Sequence, residues 1–262
     1  MNIKKLIAVT LSAATFALSL TACGGKSSDS SAGSSSAAES TTVKLGVVGS
    51  IYEDLWKPAQ ESLKAEGIDL EIVQFSDYAT PNNALNSGDI DLNAFQHQIY
   101  LDNEVEQQGY KIQSIGYTFI IPLNIYSHKV KAISDIKDGD VVAIPDDVTN
   151  GGRAIKVLAA AGLITLKEDA GFNPTLEDIK TYNTKITIKE LKANTIPSVL
   201  DEEKYWNLIA ARTEDLQDKD KVAVYQKVIK AFQSDATEKV FNDTFGGYFI
   251  KVGWDQDLLA SK

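Results

Sequence analysis

From residue 43 onward the chain alternates two kinds of apolar spacing. Val43-Lys44-Leu45-Gly46-Val47-Val48 is a short β-type run, followed by Gly49-Ser50 and then by Ile51, Leu55, Ala59 and Leu63 at helical spacing. The order is strand, turn, helix, with Ser50 placed to cap the helix and Gly67 to stop it. Leu70 to Phe75 alternates as a second strand, Asn82 to Ser87 reads as a short helix, Ile90 to Phe95 as a third strand and Ile99 to Gln107 as another helix. Such alternation predicts a mostly parallel sheet flanked by helices.

The pattern restarts after Phe119-Ile120-Ile121-Pro122, with strands expected near Leu123 to Ser127 and Val141 to Pro145 and a helix from about Gly152 to Ala161 that Gly162 stops. Ile179 to Tyr182 and Ile186 to Leu191 read as further strands, the second running into a short helix that ends near Leu200. Val222, Tyr225, Ile229, Phe232, Ala236 and Val240 mark one long amphipathic helix near the C-terminus. The expected fold is α/β in two lobes, 43–120 and 121–204, each a mostly parallel sheet with flanking helices, and 205–262 returns to the first lobe.

The N-terminus follows other rules. Lys4 and Lys5 precede an apolar run, Leu6 to Leu20, that is too short to span a bilayer comfortably, so residues 1–22 read as a signal peptide. Leu20-Thr21-Ala22-Cys23 resembles the bacterial lipobox, in which the cysteine is lipidated and becomes the new N-terminus; the alternative is an ordinary signal with an incidental cysteine. Cys23 is the chain's single cysteine, which excludes an internal disulfide framework and any CxxC site. Residues 24–42 hold eight serines and almost nothing to bury, so 23–42 reads as a lipidated, flexible tether. Membrane attachment would come from the lipid anchor alone.

Charge narrows the partners. Lys and Arg number 26 against 36 Asp and Glu, a net charge of −10, which makes nucleic acid an improbable ligand. Asp89-Ile90-Asp91-Leu92-Asn93 imitates an EF-hand start, but Ala94 stands where glycine is required and Tyr100 where glutamate is. With His97 and His128 as the only histidines, a zinc site has no recognisable spacing. No P-loop, dinucleotide fingerprint, GxSxG or HExxH is present. The expectation is a binding protein without cofactor, the rival being an enzyme that uses His97.

Two segments carry candidate chemistry. Asp146 to Arg153 lies between a strand and a helix; its glycines allow close backbone approach and Arg153 offers a planar fork for a carboxylate, a small-anion site, although the same residues fit a plain turn with a solvated arginine equally well. Phe95, His97 and Tyr100, with Tyr78 at the end of the neighbouring strand, are placed to cluster at the carboxyl end of the sheet, where open α/β sheets bind ligands. Read from residues alone, ordinary aromatic packing is the stronger alternative there.

Taken in order, the lipobox, the serine-rich tether, SDYATPNN (76–83), LNSGDIDLNAFQHQIY (85–100), Tyr117 to Ser127 and TNGGRAIKVLAAAGLI (149–164) resemble the NlpA/MetQ family of methionine-binding lipoproteins. The resemblance covers most of 43–200 and resumes at Asn207. It implies a type II periplasmic-binding-protein fold closing on L-methionine, or on D-methionine, a methionine dipeptide or another small amino acid, for delivery to an ABC permease and its ATPase. It makes Arg153 the carboxylate partner with Asn150 beside it, and Tyr78, Phe95, His97 and Tyr100 the wall around the thioether. The implied location is extracytoplasmic, anchored to the cell membrane, with a lean towards a Gram-positive surface.

One departure stands out. After Asp201 the family continues into a further second-lobe strand and an NGNYA-like segment, whereas here the chain passes directly to Glu202-Glu203-Lys204-Tyr205-Trp206-Asn207. A strand, a helix and a ligand asparagine, on the order of 25 to 30 residues, are missing by comparison with a complete α/β unit. The expected consequences are exposed strand edges and a weakened or rearranged cleft, which leaves a surface lipoprotein acting through protein contacts as the alternative.

Overall fold

A computed structural model describes residues 40–121, 123–192 and 205–260. Residues 1–39, with Cys23 and most of the expected tether, Pro122, and the helix expected to end near Leu200 lie outside them, whereas Thr41 and Thr42, read as the end of the tether, belong to the first strand.

The first lobe is built on β1 (Thr41–Val48) and β2 (Ile68–Phe75), parallel in register from Thr41 opposite Ile68 to Val48 opposite Phe75. Helix α1 (Ile51–Ala65) joins them and buries Leu55, Trp56, Ala59 and Leu63. Next come α2 (Thr80–Ser87), a two-residue β3 (Leu92–Asn93) parallel to β1, α3 (Gln98–Gln108) and β4 (Ile112–Tyr117). The third strand is shorter than its apolar run: Ala94 and Gln96 still bond singly to Gly46 and Leu208, but Phe95 packs into the first core and His97 caps the next helix.

After β5 (Phe119–Ile120) the chain enters the second lobe: β6 (Val141–Pro145), α4 (Val148–Ala160), β7 (Ile164–Leu166), β8 (Ile179–Tyr182) and β9 (Thr187–Leu191). Strands β6 and β9 pair in parallel and β7 and β8 antiparallel, around a core of Leu123, Ile144, Ile155, Leu158, Leu163 and Ile164. Helix α4 starts four residues before the sequence suggests, because Asp147 caps it by accepting the Asn150 N–H at 2.8 Å. Gly151 and Gly152 therefore lie inside the helix. A Cβ on Gly151 would stand 2.8 Å from the Pro145 carbonyl oxygen, and one on Gly152 2.9 Å from the Asn173 Cα, so these glycines seat the helix on its neighbours.

The strand expected at Leu123 to Ser127 is not formed. Leu123 and Ile125 pack on the second core, but among the described residues β6 pairs only with β9. Between that segment and β6 lies a cavity of about 300 Å³, walled mainly by aliphatic side chains and holding none of the six predicted ligand residues. Val141 and Leu191 on its rim are 57% and 46% exposed. The apolar pattern for a strand is present; a strand to pair with it is not, among the described residues.

The chain then returns. Strand β10 (Leu208–Arg212) inserts antiparallel between β3 and β4, completing the sheet order β2-β1-β3-β10-β4. The long helix expected near the C-terminus is two, α5 (Lys219–Phe232) and α6 (Asp235–Asp243), because the Ser234 side chain takes the Thr237 N–H and starts a new helix. A short β11 (Ile250–Lys251) pairs with β5. Among the described residues no helix is long and apolar enough to cross a membrane.

The return strand is locked by a buried charge cluster. Arg212 Nη1 donates to the carbonyls of Leu85 (2.9 Å) and Ile90 (2.5 Å), while Nη2 pairs with Asp215 at 2.7 Å and Asp91 at 3.5 Å. Asp215 also accepts from Lys221 and the Tyr225 hydroxyl. Burial alone would raise its pKa, but these bonds and the Arg212 and Lys221 charges prevail and hold it below the usual carboxylate range.

Arg212→Met should cost about 3 kcal/mol in urea unfolding, since it strands buried carboxylate and carbonyl groups. Because Asp215 has a lowered folded pKa, its contribution is present above the unfolded value of 3.8 and is lost as pH falls through the folded one, so Asp215→Asn should flatten the acid limb of a stability-versus-pH curve. Gly152→Ala should lower stability by roughly 1–3 kcal/mol despite alanine's better helix propensity, because the 173–174 backbone has to move.

Candidate functional site

The site forms where the carboxyl ends of the first-lobe strands meet the start of α4. Asp77 organises the loop after β2 by accepting from the Ala79 and Thr80 N–H groups at 3.0 and 2.8 Å, bonds that keep its carboxyl acidic. The loop so held presents Tyr78. Its ring lies 5.6 Å from that of Phe95 and 6.0 Å, edge-on, from that of Tyr100; Phe95 and Tyr100 are also 6.0 Å apart. The Tyr100 hydroxyl donates to the Tyr78 carbonyl at 3.1 Å, and that of Tyr52 to the Phe95 carbonyl at 3.4 Å. Burial raises the pKa of all three tyrosines, that of Tyr78 to about 12, so the wall is neutral.

His97 is the hinge of the constellation. Its Nδ1 accepts the Tyr100 N–H at 3.1 Å and caps α3. A nitrogen that accepts carries no proton, so the neutral ring is protonated on Nε2, which donates to Asn150 Oδ1 across the lobes at 3.0 Å. Asn150 is oriented for this because its amide nitrogen donates to both Asp147 oxygens. Burial, with the Arg153 charge as second cause, pulls the His97 pKa down to about 4 against the weaker lift from Asn150 and Asp147.

Arg153 follows Asn150 on α4 and is buried. Its Nη2 donates to the Ile121 carbonyl at 3.2 Å, and its Cζ lies 4.3 Å from the centroid of the Tyr205 ring. Tyr205 in turn meets His97 edge-on at 5.3 Å and stacks on Phe172 at 6.1 Å. A guanidinium over a ring keeps its charge while it is shielded from water.

All six residues singled out from the sequence, Tyr78, Phe95, His97, Tyr100, Asn150 and Arg153, line one cavity of about 60 Å³. Tyr52, Gln96, Ile121 and Asn207 line it too and were not anticipated. Tyr52 had a signal in its place just after the first strand; Asn207 had none until the return strand was known, for it bridges to His97 as that strand arrives. The cavity brings a fixed cation, an amide and a neutral imidazole together with aromatic rings. No acidic side chain is among the described residues that line it. That arrangement suits a small carboxylate with an apolar tail. Among the described residues no three His, Cys, Asp or Glu side chains converge to hold a metal ion.

Comparison with known proteins agrees in kind. The D-methionine-binding lipoprotein MetQ of Salmonella typhimurium is 37% identical over 244 aligned positions, covering 81% of this chain and 88% of the relative. Outer membrane lipoprotein 3 of Mannheimia haemolytica is 36% identical over 280 positions, covering 95% of this chain and all of the relative. That alignment is longer than the 262-residue chain, and it leaves about thirty positions of the relative without a counterpart here. Among solved structures, a nutrient binding protein from Burkholderia cenocepacia bound to methionine superposes with a TM-score of 0.72 at 34% identity, covering 80% of this chain and 99% of that one. The family model described as NlpA lipoprotein matches residues 43–204. By that match and these identities, the chain belongs to the NlpA lipoprotein family.

Proposed function

We propose that this chain is an extracytoplasmic, lipid-anchored solute-binding protein that captures L-methionine by closure of its two lobes and delivers it to an ABC importer, without chemistry of its own. The observation that carries the reading is the pairing, in one cavity, of the Arg153 guanidinium on the second lobe with the ring wall of Tyr78, Phe95 and Tyr100 on the first. An amino-acid carboxylate pairs with the guanidinium, and a thioether packs on aromatic rings at ~0.3–1.5 kcal/mol per contact. Relatives named for methionine binding support the same ligand class.

Closure supplies the mechanism. The cavity has room for only a few water molecules, so an amino acid with an extended side chain enters when the lobes part and the His97–Asn150 bond opens. Ligand and that bond then hold the closed form together, and the closed faces of both lobes are what a permease would read. Attachment through Cys23 would keep the body near the membrane.

In a thermal melt of the chain from Gly24 onward, L-methionine at ~100 times its Kd should stabilise by ~2.7 kcal/mol while glutamine leaves the transition unmoved. D-methionine and a methionine dipeptide run beside it decide between the family's ligand variants. A cooperative melt that no ligand moves would favour the surface-lipoprotein reading. Arg153→Gln should weaken methionine binding on the order of 100-fold by calorimetry, the loss of a buried charge partner.

His97 gives a pH test. Its folded pKa lies below the unfolded value of 6.5, so the unfolded chain binds the extra proton and the folded form loses stability as pH falls from 6.5 towards 4. The melting temperature should therefore fall between pH 7 and pH 5, and His97→Gln should reduce that dependence.

A further inference from the structure

Beside the ring wall sit three side-chain amides with almost no contact with bulk water, Gln96 among the cavity lining: Asn82 and Asn93 are 0% exposed and Gln96 is 3% exposed. They form a closed circuit. Asn82 Nδ2 donates to Gln96 Oε1 at 2.8 Å, and Gln96 Nε2 donates back to Asn82 Oδ1 at 2.7 Å and to Asn93 Oδ1 at 3.0 Å. Asn93 Nδ2 donates to Asn82 Oδ1 at 2.9 Å and reaches the Pro81 carbonyl at 3.4 Å. The circuit thus ties α2 to the end of β3 and to the segment that leads into α3, with Gln96 at the cavity itself.

Stability alone does not ask for amides here. Ala84, Leu85 and Ile90, close by in the chain, belong to a buried aliphatic core, and an aliphatic filling at 82, 93 and 96 would satisfy burial without any hydrogen-bond requirement. What amides add is direction: a buried circuit of this kind is satisfied in one arrangement and costly in any other. Gln96 lies between Phe95 and His97, and its own carbonyl is held at 3.0 Å by the Leu208 N–H of β10. Held on both side chain and backbone, it leaves its two neighbours little freedom.

We propose that Asn82, Asn93 and Gln96 are positioning residues for the ligand cavity, an amide lock that sets Phe95 against the tyrosine rings and fixes the His97 imidazole so that Nε2 meets Asn150. The role in affinity rests on the methionine reading above; the role in holding the imidazole does not.

The test uses the chain from Gly24 onward and its two histidines, which give only two imidazole spin systems in a long-range proton–nitrogen spectrum. His97 should show one Nε2–H tautomer, and Gln96→Met should turn it into an averaged ring titrating closer to 6.5, leave His128 unchanged, and raise the methionine Kd at least tenfold. Leu85→Ala is the structural control: it should lower the melting temperature without moving either His97 or the Kd. If Gln96→Met does not melt cooperatively, Asn93→Ala, which removes the third amide and keeps the Asn82–Gln96 pair, takes its place with the same expected shifts. Unchanged His97 resonances in a folded lock variant, or the same changes in Leu85→Ala, overturn the proposal. A shifted His97 in a protein that never binds methionine supports the lock and removes the methionine reading alone.

Discussion

The first lobe cannot be completed by the first half of the chain, and most of the architecture follows from that constraint. Strands β3 and β4 are not neighbours until β10 comes between them, and all five residues of β10 are buried. The chain must leave the first lobe after Ile120, fold the second, and come back before either strand has its partner. Two segments therefore cross between the lobes, and the ligand cavity sits beside both crossings, with Ile121 on the outward one and Asn207 on the return. Two such connecting segments beside a cleft are the arrangement in which a hinge closure can act. The Arg212 cluster reads as the fastening of this arrangement, because it joins the end of the return strand to the carbonyls of Leu85 and Ile90 far earlier in the chain.

How much of this was legible in the sequence varies with the range of the forces involved. Elements held by local pattern were readable nearly to the residue: β1, β2, α3 and β8 each carry their own apolar spacing and stop signals. Elements decided by distant partners were not. Leu208 to Arg212 has no alternation, because a strand buried on both faces needs none, so its place in the sheet was invisible. Leu123 to Ser127 failed in the opposite sense: its pattern is that of a strand, but strand geometry needs a neighbour to take the backbone bonds. The break between α5 and α6 rests on one serine whose hydroxyl competes with the helix for a backbone N–H, too local an event for a hydrophobic period to register.

For the site, the residues read from the sequence supplied the parts and the family resemblance supplied their assembly. Spacing alone left Arg153 as good a solvated loop residue as an anion partner, and left the aromatic cluster nearer to ordinary packing. The structure brings both to one cavity, and it corrects the physics of the glycine segment. Gly151 and Gly152 do not wrap an anion; they let α4 approach the 145 and 173–174 backbones, and the first turn is capped by Asp147. The positive end of α4 is therefore partly spent on its own aspartate, and the guanidinium is the cavity's full positive charge among the described residues that line it.

That distribution of charge bears on what the unmatched thirty or so positions mean. By sequence the departure falls after Asp201, outside the described residues; among the described residues β6 pairs with β9 alone, and Val141 and Leu191 stand out of the core. The six residues the sequence assigns to the cavity come from the first lobe and the first turns of α4 and are in place, whereas the ligand asparagine that the resemblance implies for the missing segment has no counterpart in the sequence. Arg153 is held by a carbonyl and a ring, Asn150 by Asp147, and His97 by the start of α3. None of those contacts passes through the open edge of β6. An edge of β6 without a partner among the described residues bears on the sheet that carries α4, so its expected effect is on how firmly the second lobe holds its shape and, through that, on affinity, beside the loss of the implied asparagine.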